Sequence, residues 1–346
     1  MKVAFNTSAL KTGHESRGIG TYVRNLLEVL KKTEGIEIQE FENQNQIKDA
    51  DVVHYPFFDF FRISLPLIKR FRIIVTVHDV IPLIFPEHYP PGIKGSLIYK
   101  IQKLSLKNTK AIVTGSKSSR KDVASYLQIP EEKVFAVYLA ASSVFKKISN
   151  EQILKKIKQK YNLPGKFAVY AGGVNWNKNL LGIAYACRKS QVDLVMIGGS
   201  FEAEYKLEHS ELKSYKKFLN EFKHDKRVQI KGYIPIEDFV AIVNSAEVLL
   251  LPSFYEGFGL PILEAQACGV PVITSNIASM PEVAGEGAIF VNPYNVDEIS
   301  KAISRIIQSK EKKDELIRKG FENIKKFSWE KCAQDNIKAY QFAVQT

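Results

Sequence analysis

The sequence predicts an α/β protein made of two doubly wound domains, each a parallel sheet with helices on both faces. Three observations carry this. Short β-branched runs alternate with helical patterns along the whole chain. Most of those runs are almost continuously apolar, as strands covered on both faces are. The length, 346 residues, allows two ordinary domains with a core each.

In order, strands are expected over 2–6, 36–41, 51–55, 72–78, 111–115 and 134–138, then over 166–171, 193–198, 228–232, 248–252, 270–275 and 288–292. Between them, segments such as 22–30 read as helices, with Tyr22, Val23, Leu26, Leu27 and Leu30 on one face. A lysine-rich helix ends at Asn162-Leu163-Pro164-Gly165, so the domains are drawn as 1–163 and 164–327. A last helix over 328–346 carries a stripe of Trp329, Cys332, Ala333, Ile337 and Tyr340, and is expected to pack back across the domain junction. Open sheets of this kind bind ligands at the carboxyl ends of their strands, which predicts an interdomain site.

Composition narrows the setting. Hydrophobic residues make up 45% and charged residues 25%, a globular profile. Cys187, Cys268 and Cys332 are far apart and sit in apolar or helical runs, against a disulfide framework or a zinc site. No signal peptide is read at the first residues, and no apolar run approaches the ~20 residues of a bilayer span. The expected location is the cytoplasm. The net charge of +12 suits solvated helix faces or peripheral contact with an anionic membrane, and no nucleic-acid signature accompanies it.

The chemistry concentrates in Val248-Leu-Leu-Leu-Pro-Ser-Phe-Tyr-Glu-Gly-Phe-Gly-Leu-Pro-Ile-Leu-Glu-Ala-Gln-Ala-Cys-Gly269. A buried strand ends at Pro252, a loop carries Glu256, and a helix follows with Pro261 near its start and Gly269 past its end. Gly257 and Gly259 let backbone approach a ligand, and a helix N-terminus favours a phosphate there. Glu264 is expected in the first helical turn, where its carboxylate can also accept hydrogen bonds from vicinal hydroxyls. Taken singly, Glu264 reads as a favourable first-turn charge and Glu256 as a loop surface residue.

The whole string resembles the Glu-x7-Glu signature of the retaining GT-B glycosyltransferases called group 1 or family 4. Gly232-Tyr-Ile-Pro before it, and Val270-Pro-Val-Ile-Thr-Ser with Met280-Pro-Glu-Val-Ala-Gly after it, match as well. The resemblance implies a GT-B fold of two Rossmann-like domains facing a cleft. It also implies that Glu264 holds the donor ribose while Glu256, Gly257, Phe258, Gly259 and Leu260 line the sugar and diphosphate. Gly18 and Gly20, in Arg17-Gly-Ile-Gly-Thr-Tyr22, are carried over to the diphosphate, and His78 in Thr76-Val-His-Asp-Val-Ile-Pro82 to the transferred sugar, with Asp79 orienting or capping. In Tyr170-Ala-Gly-Gly-Val-Asn-Trp-Asn-Lys-Asn179, Lys178 matches a lysine that meets the leaving diphosphate. Gly173 stands where an arginine is usual, and Asn177 where many relatives are basic, so Arg17 is a candidate substitute.

The implied activity is metal-independent, retaining transfer of a hexosyl group, mannosyl-type favoured, in polysaccharide biosynthesis. The donor is a GDP- or UDP-linked sugar, the acceptor a glycan or lipid-linked glycan, and no cofactor is expected. Asp49-Ala-Asp51 reads as a helix end rather than a metal motif. Two other readings stay open: a non-catalytic nucleotide-sugar-binding module and a nucleotide-sugar epimerase of the same fold. A Rossmann dehydrogenase is disfavoured, because the glycines at 18 and 20 come too late after the first strand and lack a third glycine.

Overall fold

A computed structural model describes residues 1–11, 18–203 and 209–346. The chain forms two compact units, one of residues 1–140 with 327–346 and one of residues 141–326.

The first unit holds a parallel sheet of β1 (Lys2–Asn6), β2 (Glu37–Phe41), β3 (Val52–Tyr55), β4 (Ile73–Thr76), β5 (Ala111–Thr114) and β6 (Val134–Ala136). Their order is β2-β1-β3-β4-β5-β6, so the direction of winding reverses between β1 and β3. Lys2 fixes that centre. Its backbone N–H donates to Asp51 at 2.7 Å and its ammonium to Asp49 at 2.8 Å. The two aspartates thus lie in open chain before β3 instead of ending a helix. Helix Gly18–Lys32 buries Tyr22, Val23, Leu26, Leu27 and Leu30, as its periodicity predicts.

The second unit holds β7 (Phe167–Ala171), β8 (Asp193–Ile197), β9 (Val228–Lys231), β10 (Val248–Leu251), β11 (Val272–Ser275) and β12 (Ala288–Val291). All pairs are parallel, in the order β12-β11-β10-β7-β8-β9, and the reversal lies between β7 and β10. β7 and β10 are buried from end to end, which explains their unbroken hydrophobic text.

The boundary expected at 163/164 differs from the structure. The units divide at 140/141 and not at 163/164, because residues 141–163 find their partners in the second unit. Asn244 Oδ1 accepts the Ile148 N–H at 2.7 Å, and Asp238 Oδ2 accepts from the Tyr161 hydroxyl at 2.6 Å and pairs with Lys160 at 2.5 Å. The last helix, Trp329–Gln345, packs within the first unit, against helix Gly18–Lys32 and strands β3 to β6. Its inward row includes Asn336, fully buried, while Ile337 lies at the edge. Among the described residues no helix is long and apolar enough to cross a membrane.

Candidate functional site

In open parallel sheets the loops on either side of a winding reversal separate and leave a crevice at the strand ends. In the second unit those loops follow β7 and β10. After β7, Tyr170 donates its hydroxyl to the Gly173 carbonyl at 2.5 Å, folding Gly172 and Gly173 back over the strand end. A Cβ at Gly172 would stand 2.7 Å from the Tyr170 hydroxyl oxygen, and one at Gly198, after β8, only 2.2 Å from the Gly172 carbonyl oxygen. Side chains at 172 and 198 are therefore excluded by close approach. The chain then makes a short turn over Trp176–Lys178. Asn179, in the left-handed region at φ 55°, caps helix Leu180–Ser190 through the Gly182 N–H.

After β10 the loop 252–259 leads into helix Leu260–Ala267, with Gly259 at its N-cap at φ +96°. The loop is almost wholly buried, so its polar backbone needs partners inside. The β7 loop supplies them. Asn177 accepts the Phe254 N–H at 2.7 Å with its carbonyl and donates its side-chain amide to the Tyr255 carbonyl at 2.9 Å. Asn179 donates to the Pro252 carbonyl at 2.9 Å and to the Pro293 carbonyl at 2.8 Å. From β11 and beyond, Ser275 donates to the Ser253 carbonyl at 2.6 Å, and Ser279 to the carbonyls of Glu256 and Phe258 at 2.8 and 2.9 Å. Trp176, Phe254 and Tyr294 stack in a column with 4.7 Å between successive ring centres.

This lacing brings two predicted residues together. Lys178 Nζ lies 2.8 Å from both carboxylate oxygens of Glu256, and the buried Ser253 hydroxyl donates to Glu256 Oε1 at 2.7 Å. The pair is recessed yet reachable, with 22% of the lysine side chain and 10% of the glutamate side chain exposed. Glu256 is also felt by Tyr170. Burial foremost, then the glutamate's charge, pushes that phenol well above its ordinary range.

Glu264 sits differently from its prediction. The helix begins at Leu260, which makes Glu264 its fifth residue and takes it out of the first turn. There it loses most of the benefit of the helix N-terminus. Its carboxyl is half-buried and has no hydrogen-bond or ion-pair partner among the described residues. Burial alone pushes it up to about 7. A desolvated acid without a donor is costly in the empty protein and well suited to a ligand that brings hydroxyls.

Gly257, Phe258, Gly259 and Leu260 occupy the β10 loop and helix start, beside Glu256 in sequence. Gly173 lies on the β7 loop, where a Cβ would meet Asn175 Oδ1 at 3.1 Å and Ser200 Oγ at 3.9 Å. The remaining predicted residues belong to the first unit. Gly18 opens helix Gly18–Lys32 and Gly20 is buried within it, while Arg17 lies outside the described residues. His78 follows β4. Its Nε2 is 3.1 Å from the Pro56 carbonyl, which places the ring proton there, and its ring meets Tyr22 edge-on at 5.1 Å. Asp79 accepts the Ile81 N–H at 3.0 Å, at the start of the short helix Ile81–Ile84. Sequence reasoning missed Ser253, Ser279 and the aromatic column. Serines and aromatics in loops carry no periodic signal, and the column joins residues far apart in the chain.

The model of the glycosyl transferases group 1 family matches residues 152–323, and that of glycosyltransferase family 4 matches residues 38–140. The O-antigen chain mannosyltransferase B of Escherichia coli is 32% identical over 78% of this chain and 70% of that protein. The serotype-specific mannosyltransferase WbdA of Escherichia coli is 27% identical over 83% of this chain, which spans only 36% of that longer protein. A sucrose-phosphate synthase from Thermosynechococcus elongatus has the same fold, with a TM-score of 0.73 at 18% identity over 99% of this chain and 98% of that one. With both halves matched and its two Rossmann-like lobes described, the chain belongs to the group 1 / family 4 glycosyltransferases of GT-B fold.

Proposed function

We propose that this protein is a retaining hexosyltransferase, mannosyl-type, that uses a GDP- or UDP-linked sugar to extend a glycan or lipid-linked glycan in polysaccharide biosynthesis. The observation that carries the proposal is the Lys178–Glu256 pair, 2.8 Å apart, held where the winding of a six-stranded sheet reverses. Cleaving a nucleotide-sugar bond leaves negative charge on the diphosphate and positive charge at the anomeric carbon. In this reading Lys178 neutralises the first, together with the N-terminal end of helix Leu260–Ala267 and the backbone of Gly257–Leu260. Glu256, fixed by Lys178 and Ser253, shapes the sugar site, and Glu264 accepts hydrogen bonds from the ribose hydroxyls. Gly18 and Gly20 approach the diphosphate and His78 the transferred sugar. Attack on the same face as the departing diphosphate, assisted by it, gives retention without a carboxylate nucleophile. The reaction needs no metal, and it takes place in the cytoplasm with peripheral contact to an anionic membrane.

A thermal-shift screen against UDP-, GDP-, ADP- and dTDP-sugars identifies the donor; stabilisation by none of them sinks the proposal. Glu264→Ala is expected to weaken nucleotide binding at least about tenfold, with nucleotide affinity equal to wild type contradicting the ribose assignment. A second reading, a nucleotide-sugar binder without turnover, is favoured by Gly173, which supplies no cation where relatives carry arginine. Slow hydrolysis of bound donor separates the two, since a pure binder produces none.

A further inference from the structure

Half of the twelve exposed large hydrophobic side chains of the described residues fall in two short segments of the first unit. Ile63, Leu67 and Ile68 lie on the chain between β3 and β4, exposed by 67%, 60% and 79%. Ile93, Leu97 and Leu104 lie on helix Gly92–Lys107, exposed by 93%, 62% and 64%. The two segments are neighbours. Gln102 Oε1 accepts from the Ser64 N–H and hydroxyl, both at 2.9 Å, the Ser105 hydroxyl donates to the Pro66 carbonyl at 2.8 Å, and Lys69 donates to the Ser105 carbonyl.

The helix departs from an ordinary surface helix in leaving three large aliphatic side chains outward. Its buried residues are Gly95, Gln102, Ser105 and Leu106, so a single large aliphatic side chain is fully buried along it. At about 100° per residue, Ile93, Leu97 and Leu104 share an outward ridge about 40° wide, with Lys100 and Lys107 beside it. Arg62, Arg70, Arg72 and Lys94 are exposed on the same two segments. No aspartate or glutamate occurs over 60–78 or 88–110.

We propose that the outward ridge of helix Gly92–Lys107 docks on an anionic lipid bilayer, with Ile93, Leu97 and Leu104 entering the interface and the lysines beside them meeting lipid phosphates. Apolar side chains ringed by cations fit that boundary on both counts. A second copy of the chain would bring like charges together. A nucleic acid would use the cations and leave the aliphatic ridge in water. The inference deepens the peripheral contact proposed above and does not depend on the donor chemistry.

The test is co-sedimentation of the full chain with phosphatidylcholine vesicles, with and without about one third phosphatidylglycerol, in the absence of any nucleotide sugar. Tight binding is expected only to the anionic vesicles, with release at high salt. Leu97→Glu/Leu104→Glu is expected to lower binding at least about tenfold, and Lys100→Gln/Lys107→Gln by several-fold. Far-UV circular dichroism and thermal midpoint accompany each variant, and Leu97→Ser/Leu104→Ser replaces the glutamate pair should that pair unfold. Failure of the folded wild-type chain to bind anionic vesicles overturns the proposal. So does equal binding to neutral vesicles, undiminished binding by folded ridge variants, or a concentration-dependent dimer that the same variants break without any vesicle binding. Because no donor is present, a failure here leaves the transferase reading untouched, and a donor screen that fails leaves this one untouched.

Discussion

The two units place polar side chains near their winding reversals in opposite ways. In the first, His54 on β3 is fully buried, with Nδ1 2.8 Å from the Tyr340 hydroxyl and Nε2 2.9 Å from the Thr76 hydroxyl. Thr76 lies 3.1 Å from the Tyr22 hydroxyl, which also donates to Asn336 at 3.5 Å. Every member is uncharged at neutral pH, sealed from water, and bonded to another member. In the second unit the corresponding place holds an ion pair that solvent can reach and a glutamate with no partner. The first arrangement closes a core; the second keeps charge ready for something that is not protein. A polar cluster at a sheet's ligand-binding end is therefore not by itself a site, and satisfaction of its hydrogen bonds tells the two apart.

Acid should break this contrast most strongly. Burial foremost, then the charge of His78, pushes His54 down to about 3 from its ordinary 6.5. The unfolded chain then takes up the proton first, so this stability is complete above about pH 6.5 and is lost as pH falls toward 3. A group shifted this far is worth a few kcal/mol, at about 1.4 kcal/mol per pH unit. Hydrogen exchange in peptides covering β3 and helix Trp329–Gln345 should accelerate on acidification before peptides covering β10 do, and the reverse order would remove His54 as the cause. Next in size, Lys178→Ala should lower turnover at least about tenfold, roughly 1.4 kcal/mol of transition-state stabilisation or more. Unchanged single-turnover rates would take Lys178 out of the mechanism.

Glu264→Gln sharpens the comparison from the other side. The acid titrates at about 7 in the folded protein against an ordinary 4.5, so its penalty is absent below about pH 4.5 and grows as pH rises through 7. The amide should raise the thermal midpoint of the empty protein at pH 8, by about 1 kcal/mol in stability, while weakening nucleotide binding. A variant less stable than wild type at that pH would show the carboxylate to be satisfied. Smallest, Tyr340→Phe removes one buried hydrogen bond to His54 and should cost about 1 kcal/mol in chemical denaturation, with donor affinity unchanged.

How much of this the sequence disclosed depended on the range of the signal. The twelve strands of the described residues are all legible, because a parallel strand buried on both faces writes itself as a local apolar run. Helix 151–160 was legible as a helix but not as part of the second unit, since its partner, helix Ile236–Asn244, lies some eighty residues away. Asn336 escaped because an asparagine in a helical stripe reads as an outward residue unless its hydroxyl partner is known. In the site, Lys178 and Glu256 were visible through the family resemblance. Their mutual contact, and the Asn177, Ser253 and Ser279 bonds that enforce it, arise only when β7 and β10 become neighbours.

The discontinuity of the first unit has a consequence for how the protein is made. The ribosome releases β1 to β6 early, yet helix Trp329–Gln345 emerges only after the whole second unit has been translated. Until then His54, Thr76 and Tyr22 lack the side chains that complete their network. The nascent chain therefore carries a half-built amino-terminal lobe while the carboxy-terminal lobe, all of its strands in hand, is free to mature first.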